Sequence, residues 1–422
     1  MKTWEKNIRR VEPYVPGEQP KVKDVVKLNT NENPYPPTPK VHEAAERMNI
    51  SDLRLYPDPE VTDLVHAIAA YYGMNDNQVF VGVGSDDVLS MCFLTFFNSD
   101  KPILFPNISY SFYSVWADLY RIPYEKQPLD KDFNIIPEGY YKENGGVVFP
   151  NPNAPTALYM ELDKVEDIIK HNQDVVVIVD EAYIDFGGKS AMELVNKYEN
   201  VLVVQTFSKS RSMAGMRIGY CFGNPELIKA LNDVKFSFNS YTMNMTSIDM
   251  GVASINDKKY FEECVERITA TRERTKEELT KQMFIETNWG ELDYLLIDMP
   301  PGTGDIALTV MQEFPIDEIV IVSTPQDMVS MIVKKVVIMA QKIGVKIKGV
   351  VENMAYISCP GCEKKIRVFS RKSSEENAEY LGLPLIGELP INIELTEAIE
   401  EGKVEEYVRE NPLYSLIFDG LY

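Results

Sequence analysis

Cysteine is scarce, with five in 422 residues. Cys92, Cys221 and Cys264 stand isolated in apolar or mixed segments, which excludes a disulfide framework and points to a reducing, cytoplasmic setting. Long apolar runs are missing too. No stretch approaches the ~18 residues of a membrane span, and Met1 to Pro20 lacks the continuous apolar centre of a signal peptide. Positive charge is in deficit: 43 Lys and Arg against 64 Asp and Glu give a formal charge of −21. Such a body repels a phosphate backbone at long range, so nucleic acid is a poor partner. Internal repeats and low-complexity tracts are absent as well. What remains, 45% hydrophobic and 10% aromatic, is the composition of a packed globular chain long enough for two or three domains.

Short β-branched runs alternate with longer helical patterns. Strands are predicted over Gln78–Val83, Pro102–Phe105, Gly146–Phe149, Val175–Asp180, Val201–Thr206 and Arg217–Phe222. Helices are predicted over Pro59–Tyr72, Asp86–Phe97, Leu162–His171 and Pro225–Val234. The strand runs are apolar on both faces, as covered parallel strands are, so an α/β domain is expected. A charged helix from about Lys258 to Gln282 ends this series. A second α/β series follows: strand Tyr294–Asp298, helix Ile306–Glu313, strand Glu318–Ser323, helix Met328–Lys342 and strand Lys348–Glu352. The domains are expected at 1–282 and 283–422, with no Gly/Ser/Pro-rich linker between them.

The residues suited to chemistry sit at strand ends. Thr206-Phe207-Ser208-Lys209-Ser210 follows one strand, with Arg217 in the stretch Ala214–Tyr220 beyond it. A lysine there points into the crevice where α/β folds bind ligands, and its amine can attack an aldehyde. Taken alone, the same position describes a solvated surface lysine. Asp180, in Asp180-Glu181-Ala182-Tyr183, ends an apolar run; an acid in such a sheet end needs a cationic partner to stay ionised. By itself it reads more plainly as a helix cap. Asn151-Pro152-Asn153-Ala154-Pro155-Thr156 puts an amide donor in a rigid turn, and is equally an ordinary turn. Gly84-Ser85-Asp86-Asp87 opens a helix after a strand, where free N–H groups and a hydroxyl form an anion site. Gly82 and Gly84 lack the third glycine of a dinucleotide fingerprint.

In this order, each at a strand end, these elements resemble the fold-type I pyridoxal-phosphate-dependent aminotransferases, specifically the histidinol-phosphate aminotransferase family. Val11–Gly17, Leu28–Pro34 and Leu55–Pro59 are similar to that family's opening segments and tyrosine–proline motif, and the likeness runs over about residues 1–282. It implies transamination of L-histidinol phosphate with 2-oxoglutarate, in histidine biosynthesis, by a homodimer carrying pyridoxal 5'-phosphate. On that pattern Lys209 holds the cofactor as a Schiff base and moves the substrate's proton, while Asp180 keeps the pyridine nitrogen protonated. Asn153 and Tyr183 hold the phenolate oxygen and Tyr110 stacks on the ring. Ser85, Asp86, Ser208 and Arg217 surround the phosphate, with Tyr56 reaching it from the other subunit; Tyr14 lies near the substrate. Ala154 stands where the family usually has a second asparagine, and Ala157 where it has a glycine. The family's small domain, with arginines for the substrate carboxylate, does not follow residue 282. Its loss is expected to impair amino-acid binding more than cofactor binding.

From about Met283 to Asn411 the chain instead resembles the C-terminal half of Mrp-type P-loop ATPases, the iron–sulfur cluster carriers. The matching strings are Asn288–Tyr294, Ile297–Asp305, Ser323–Gln326, Glu352–Met354 and Cys359-Pro360-Gly361-Cys362. The resemblance implies Asp298 as a magnesium-associated acid, Asn353 as a base contact, and Cys359 with Cys362 as half of an iron–sulfur site shared across a dimer. The CxxC spacing alone suits zinc, a redox pair or two reduced thiols equally. The glycine-rich lysine loop of such ATPases is nowhere in the sequence, so a triphosphate has no seat. Gly187-Gly188-Lys189-Ser190 has only its last residues. The junction suggests a hybrid chain, with an iron–sulfur carrier or an inert hybrid as alternatives. Half an ATPase sheet is expected to expose a strand edge and apolar surface.

Overall fold

In the computed structural model, which describes residues 3–15, 17, 27–299, 305–358, 362 and 364–414, seven short strands pair into one sheet. They are β1 (Val79–Gly82), β2 (Ile103–Pro106), β3 (Tyr124–Gln127), β4 (Val147–Pro150), β5 (Val177–Asp180), β6 (Val201–Thr206) and β7 (Gly219–Gly223). Their spatial order is β1-β7-β6-β5-β4-β2-β3. The strands from β3 to β6 are mutually parallel. β7 runs antiparallel to both β1 and β6, a departure from the all-parallel expectation. Side chains alternate with the period of two that a pleated strand imposes. Val147, Phe149, Val177, Val179, Val201 and Val203 enter one core, and Val148, Ile178, Leu202 and Val204 the other.

Helices α1 (Pro39–Arg47), α2 (Thr62–Tyr72), α5 (Leu162–Lys170), α6 (Met192–Val195) and α8 (Met245–Ile255) cover the first face. The second is covered by α3 (Ser85–Phe96), α4 (Phe112–Tyr120) and α7 (Pro225–Phe238). α5 shows the cause: Val165, Ile168 and Ile169, at i, i+3 and i+4, are fully buried while its other face is charged. α2 starts at Thr62, later than the periodicity predicts. The Asp58 carboxylate accepts the N–H groups of Glu60 and Thr62 (3.0 and 2.7 Å), and Val61 lies in the left-handed region. α9 (Lys258–Glu286) buries only Cys264 and carries i,i+4 pairs such as Lys258–Glu262.

The described residues divide into two compact units, Met1–Ala270 and Thr271–Tyr422, the division falling inside α9. In the second unit β9 (Ile347–Ser358) lies between parallel partners β8 (Ile319–Ser323) and β11 (Leu385–Pro390), and β10 (Lys365–Ile366) pairs antiparallel with the end of β9. Its helices are α10 (Asp305–Glu313), α11 (Asp327–Ile343), α12 (Ser374–Leu381), α13 (Ile393–Glu400) and α14 (Val404–Glu410). Ile319, Ile321 and Val350 pack against Val337, Ala340, Ala378 and Leu381. The strand expected at Tyr294–Asp298 does not form, and Leu296 is 90% exposed. A strand gains its ladder only from a neighbour, and no described strand pairs with this segment. β8 pairs only with β9 among the described residues, and its Val322 is exposed. No helix among the described residues is long and apolar enough to cross a membrane.

Candidate active site

β4, β5 and β6 end side by side, and the chain leaving each of them lines one cavity of about 140 Å³. Pro150, Pro152 and Ala154 come from the first, Asp180, Ala182 and Tyr183 from the second, and Thr206, Ser208 and Lys209 from the third. Ser85, Asp86, Tyr110 and Arg217 complete the wall. This is the crevice at the carboxyl ends of parallel strands where α/β sheets present their ligand-binding loops.

One end of the cavity is built for an anion. Ser85 opens α3, whose first N–H groups have no helical acceptor. β7 presses against this point because residue 219 is glycine; a Cβ there would overlap Gly84 and the Ser85 nitrogen. Gly84 adopts φ +90°, and a Cβ on it would meet the Arg217 guanidinium. Arg217 Nη2 donates to Asp86 Oδ2 (3.0 Å), and Tyr110 Oη donates to Asp86 Oδ1 (2.7 Å). The Ser208 N–H is tied to Thr206 Oγ1 (3.1 Å), which fixes the turn after β6.

Asp180 lies 5% exposed at the end of β5. Its Oδ2 accepts from Tyr113 Oη at 2.8 Å and its Oδ1 from the Ala182 N–H at 3.3 Å. Burial pushes its carboxyl up to about 6; Tyr113 and the Ala182 N–H pull it down, and the charge of Asp86 adds to the rise. Lys209 Nζ donates to the Thr30 carbonyl (2.8 Å) and lies 5.5 Å from the centre of the Tyr183 ring. Asn31 Nδ2 donates to Tyr183 Oη (3.0 Å), and Asn33 Nδ2 to the Lys209 carbonyl (2.9 Å). The segment around Thr30 thus ties down the lysine loop.

Glu181, next to Asp180 in the chain, is buried with a different set of partners. It accepts from Ser190 Oγ (2.5 Å), the Ala191 N–H (2.6 Å) and Gln205 Nε2 (2.9 Å). Tyr72 and Tyr220 both donate to Gln205 Oε1. Burial pushes Glu181 up to about 7 against these donors.

Ser85, Asp86, Tyr110, Asp180, Tyr183, Ser208, Lys209 and Arg217, all read from the sequence, border the one cavity. Asn153 is buried but does not border it. Its Nδ2 donates to the Ile108 carbonyl and Thr156 Oγ1, and its Oδ1 has no partner. Tyr56 is 81% exposed with its ring 4.8 Å from that of Tyr241. Tyr14 stacks on Phe112 at 4.2 Å. Cys362 is exposed, and Cys359 lies outside the described residues. Among the described residues no group of three His, Cys, Asp or Glu could hold a metal ion. Sequence reading missed Thr30, Asn31, Asn33 and Tyr113. The last had a signal: Tyr110, Tyr113 and Trp116 follow at intervals of three, so Tyr113 lies close in the chain to a residue named for the site.

Residues 23–313 match the family model described as aminotransferase class I and II. Residues 225–418, less than half of the chain, match a ParA model described as NUBPL iron-transfer P-loop NTPase. A histidinol-phosphate aminotransferase of Lactococcus lactis subsp. cremoris is 51% identical over 286 residues, which span 68% of this chain and 80% of that protein. One from Clostridium botulinum is 52% identical over 280 residues, spanning 66% and 79%. Among solved structures, the histidinol-phosphate aminotransferase of Sinorhizobium meliloti in complex with pyridoxal-5'-phosphate is similar with a TM-score of 0.55 at 23% identity, covering 60% of this chain and 70% of that one. That from Clostridium acetobutylicum gives 0.54 at 22%, covering 60% and 75%. These structural likenesses establish a fold-type I architecture.

Proposed function

The chain belongs to the aminotransferase class I and II family, and from that premise we propose that it transfers the amino group of L-histidinol phosphate to 2-oxoglutarate with pyridoxal 5'-phosphate held at Lys209. The observation that carries this reading is the convergence of an amine, a buried acid and an anion seat on one cavity. The donor set suits the cofactor. Gly219 lets β7 pack against the start of α3, and Gly84 leaves room for the Arg217 guanidinium beside it, so the helix start and the cation stand together at the cavity. Ser85, Ser208 and the Arg217 guanidinium offer donors to a phosphate. Asp180, an acid raised by burial, suits a cationic ring nitrogen.

When bound, pyridoxal phosphate supplies an electron-withdrawing ring that takes up the electron pair released at the donor's α-carbon. The chain's own groups do the rest. Lys209 would supply the amine that receives the aldehyde and would then carry the proton from the α-carbon. Asp180 would hold a proton on the ring nitrogen. Tyr110 would lie against the ring. Tyr183, whose oxygen accepts from Asn31, would donate its hydroxyl to the phenolate. Asn153 would join it there by turning its amide away from Ile108 and Thr156. Tyr56, exposed in its own chain, reaches the phosphate of a second copy in a homodimer, and Tyr14 lies near the substrate. The aminotransferase core corresponds to residues 1–282.

The test is to purify the full chain with pyridoxal phosphate, record the visible absorption of the bound cofactor, and fix it by borohydride. The parent gains the cofactor's mass at Lys209 and Lys209→Ala gains none; amino transfer from histidinol phosphate to 2-oxoglutarate then follows. A parent that stays colourless refutes the reading. The match over residues 225–418 favours a second reading, iron–sulfur delivery through Cys359 and Cys362. It requires Cys359→Ser to abolish cluster transfer while Lys209→Ala leaves it intact.

A further inference from the structure

Resting on the reading above, we propose that Tyr113 is the positioning residue that keeps the Asp180 carboxylate ionised and aimed at the ring nitrogen, through the hydrogen bond from Tyr113 Oη to Asp180 Oδ2 at 2.8 Å. Both side chains are buried, Tyr113 completely. The Tyr113 ring is held by Phe105 and Tyr110, each 5.8 Å away, and by Phe93 and Trp116 at 6.2 and 6.3 Å. Its hydroxyl cannot swing away without displacing that cluster. Burial and the neighbouring carboxylate hold the phenol well above its ordinary value, so it remains a donor across the working range.

Asp180 needs such a donor. Its second bond, from the Ala182 N–H, is long at 3.3 Å. Asp86, reaching in from α3, opposes its ionisation. The other titratable groups on the cavity wall are Tyr110, Tyr183, Lys209 and Arg217. Arg217 is paired with Asp86, Lys209 is bonded to Thr30, and Tyr110 is bonded to Asp86. Tyr113 is therefore the side chain bonded to the Asp180 carboxylate before the cofactor arrives, and it orients the acid from behind.

Tyr113→Phe keeps the ring and removes only the donor. In the full chain without cofactor, labelled with carboxyl-¹³C aspartate and with Asp180→Asn to assign the signal, the Asp180 midpoint is expected to rise by about one pH unit. Placing 3-fluorotyrosine at position 113, a stronger donor of nearly the same shape, should move it down. With cofactor added, Tyr113→Phe should bind about twofold more weakly at pH 7, a deficit that approaches tenfold near pH 5 and vanishes as the pH is raised and Asp180 ionises. A merely structural role predicts unchanged midpoints in both variants, and that result overturns the proposal. If the parent takes up no cofactor, the proposed function falls, while the carboxyl titration still decides the role of Tyr113. Opposite shifts in the two variants sustain it even if Tyr113→Phe is less stable.

Discussion

Buried carboxylates make the stability of the first unit depend on pH, Glu181 over the highest range. Glu181 is raised from its ordinary 4.5 to about 7 by burial. Between those values the unfolded chain has lost the proton and the folded chain keeps it, so stability falls as pH rises through the window. Glu181 contributes a drop of about 3 kcal/mol at ~1.4 kcal/mol per unit; Glu181→Gln should reduce the loss that urea titrations show between pH 5 and 7, and Asp180, raised from 3.8 to about 6, accounts for part of what remains. Ala157 offers a second test. It stands at φ +60° in the turn after Asn153, a conformation that glycine adopts without strain. The left-handed conformation costs a side chain about 1 kcal/mol, so Ala157→Gly should raise the urea midpoint slightly or leave it level, whereas at an ordinary turn position glycine would lower it. At this scale the sequence was informative where a polar residue ended an apolar run, as at Asp180 and Ser208. Asn153 was chosen from a turn motif, and a motif does not say which way its amide faces.

The elements most legible in advance were those whose side chains are buried on both faces. Val201–Thr206 forms at its predicted bounds, and Val177–Asp180 within two residues of them. β3, whose Tyr-Glu-Lys-Gln sits at the sheet edge with only Gln127 buried, offered no apolar run and went unread. The direction of β7 was invisible because a covered strand has the same composition whichever way it runs. Tyr294–Asp298 had the composition without a neighbour. The contact between β7 and α3 yields a prediction for elements: Gly219→Ala must push the strand from the helix start. It should cost about 2 kcal/mol or more, as overpacking against backbone does, and weaken cofactor binding beyond what the stability loss explains. Arg217→Lys should leave stability nearly unchanged and lower cofactor affinity, because lysine cannot reproduce the two-pronged contact to a phosphate. Equilibrium dialysis separates the two cases.

For the whole molecule, the two units differ in how much core they possess. Among the described residues the first has two clusters on opposite faces of a seven-stranded sheet, and the second has one, of eight buried side chains. Native-state hydrogen exchange should therefore be slowest in β4, β5 and β6 and markedly faster in β8 and β9. Equal protection would mean that the second unit draws on more than its own core. Among the described residues β8 pairs with β9 alone, and Val322 and Leu296 are apolar side chains left exposed. The pairing of Asp86 with Arg217 also bears on kinetics. A phosphate approaches a body of charge −21 whose receiving cation already holds a carboxylate, so loading is a displacement carried out against long-range repulsion. Salt should then accelerate it, the reverse of a steered encounter. Stopped-flow absorbance at rising ionic strength reads the sign directly. In dilute buffer, the fraction of molecules carrying cofactor would reflect how long they have waited more than how tightly they bind.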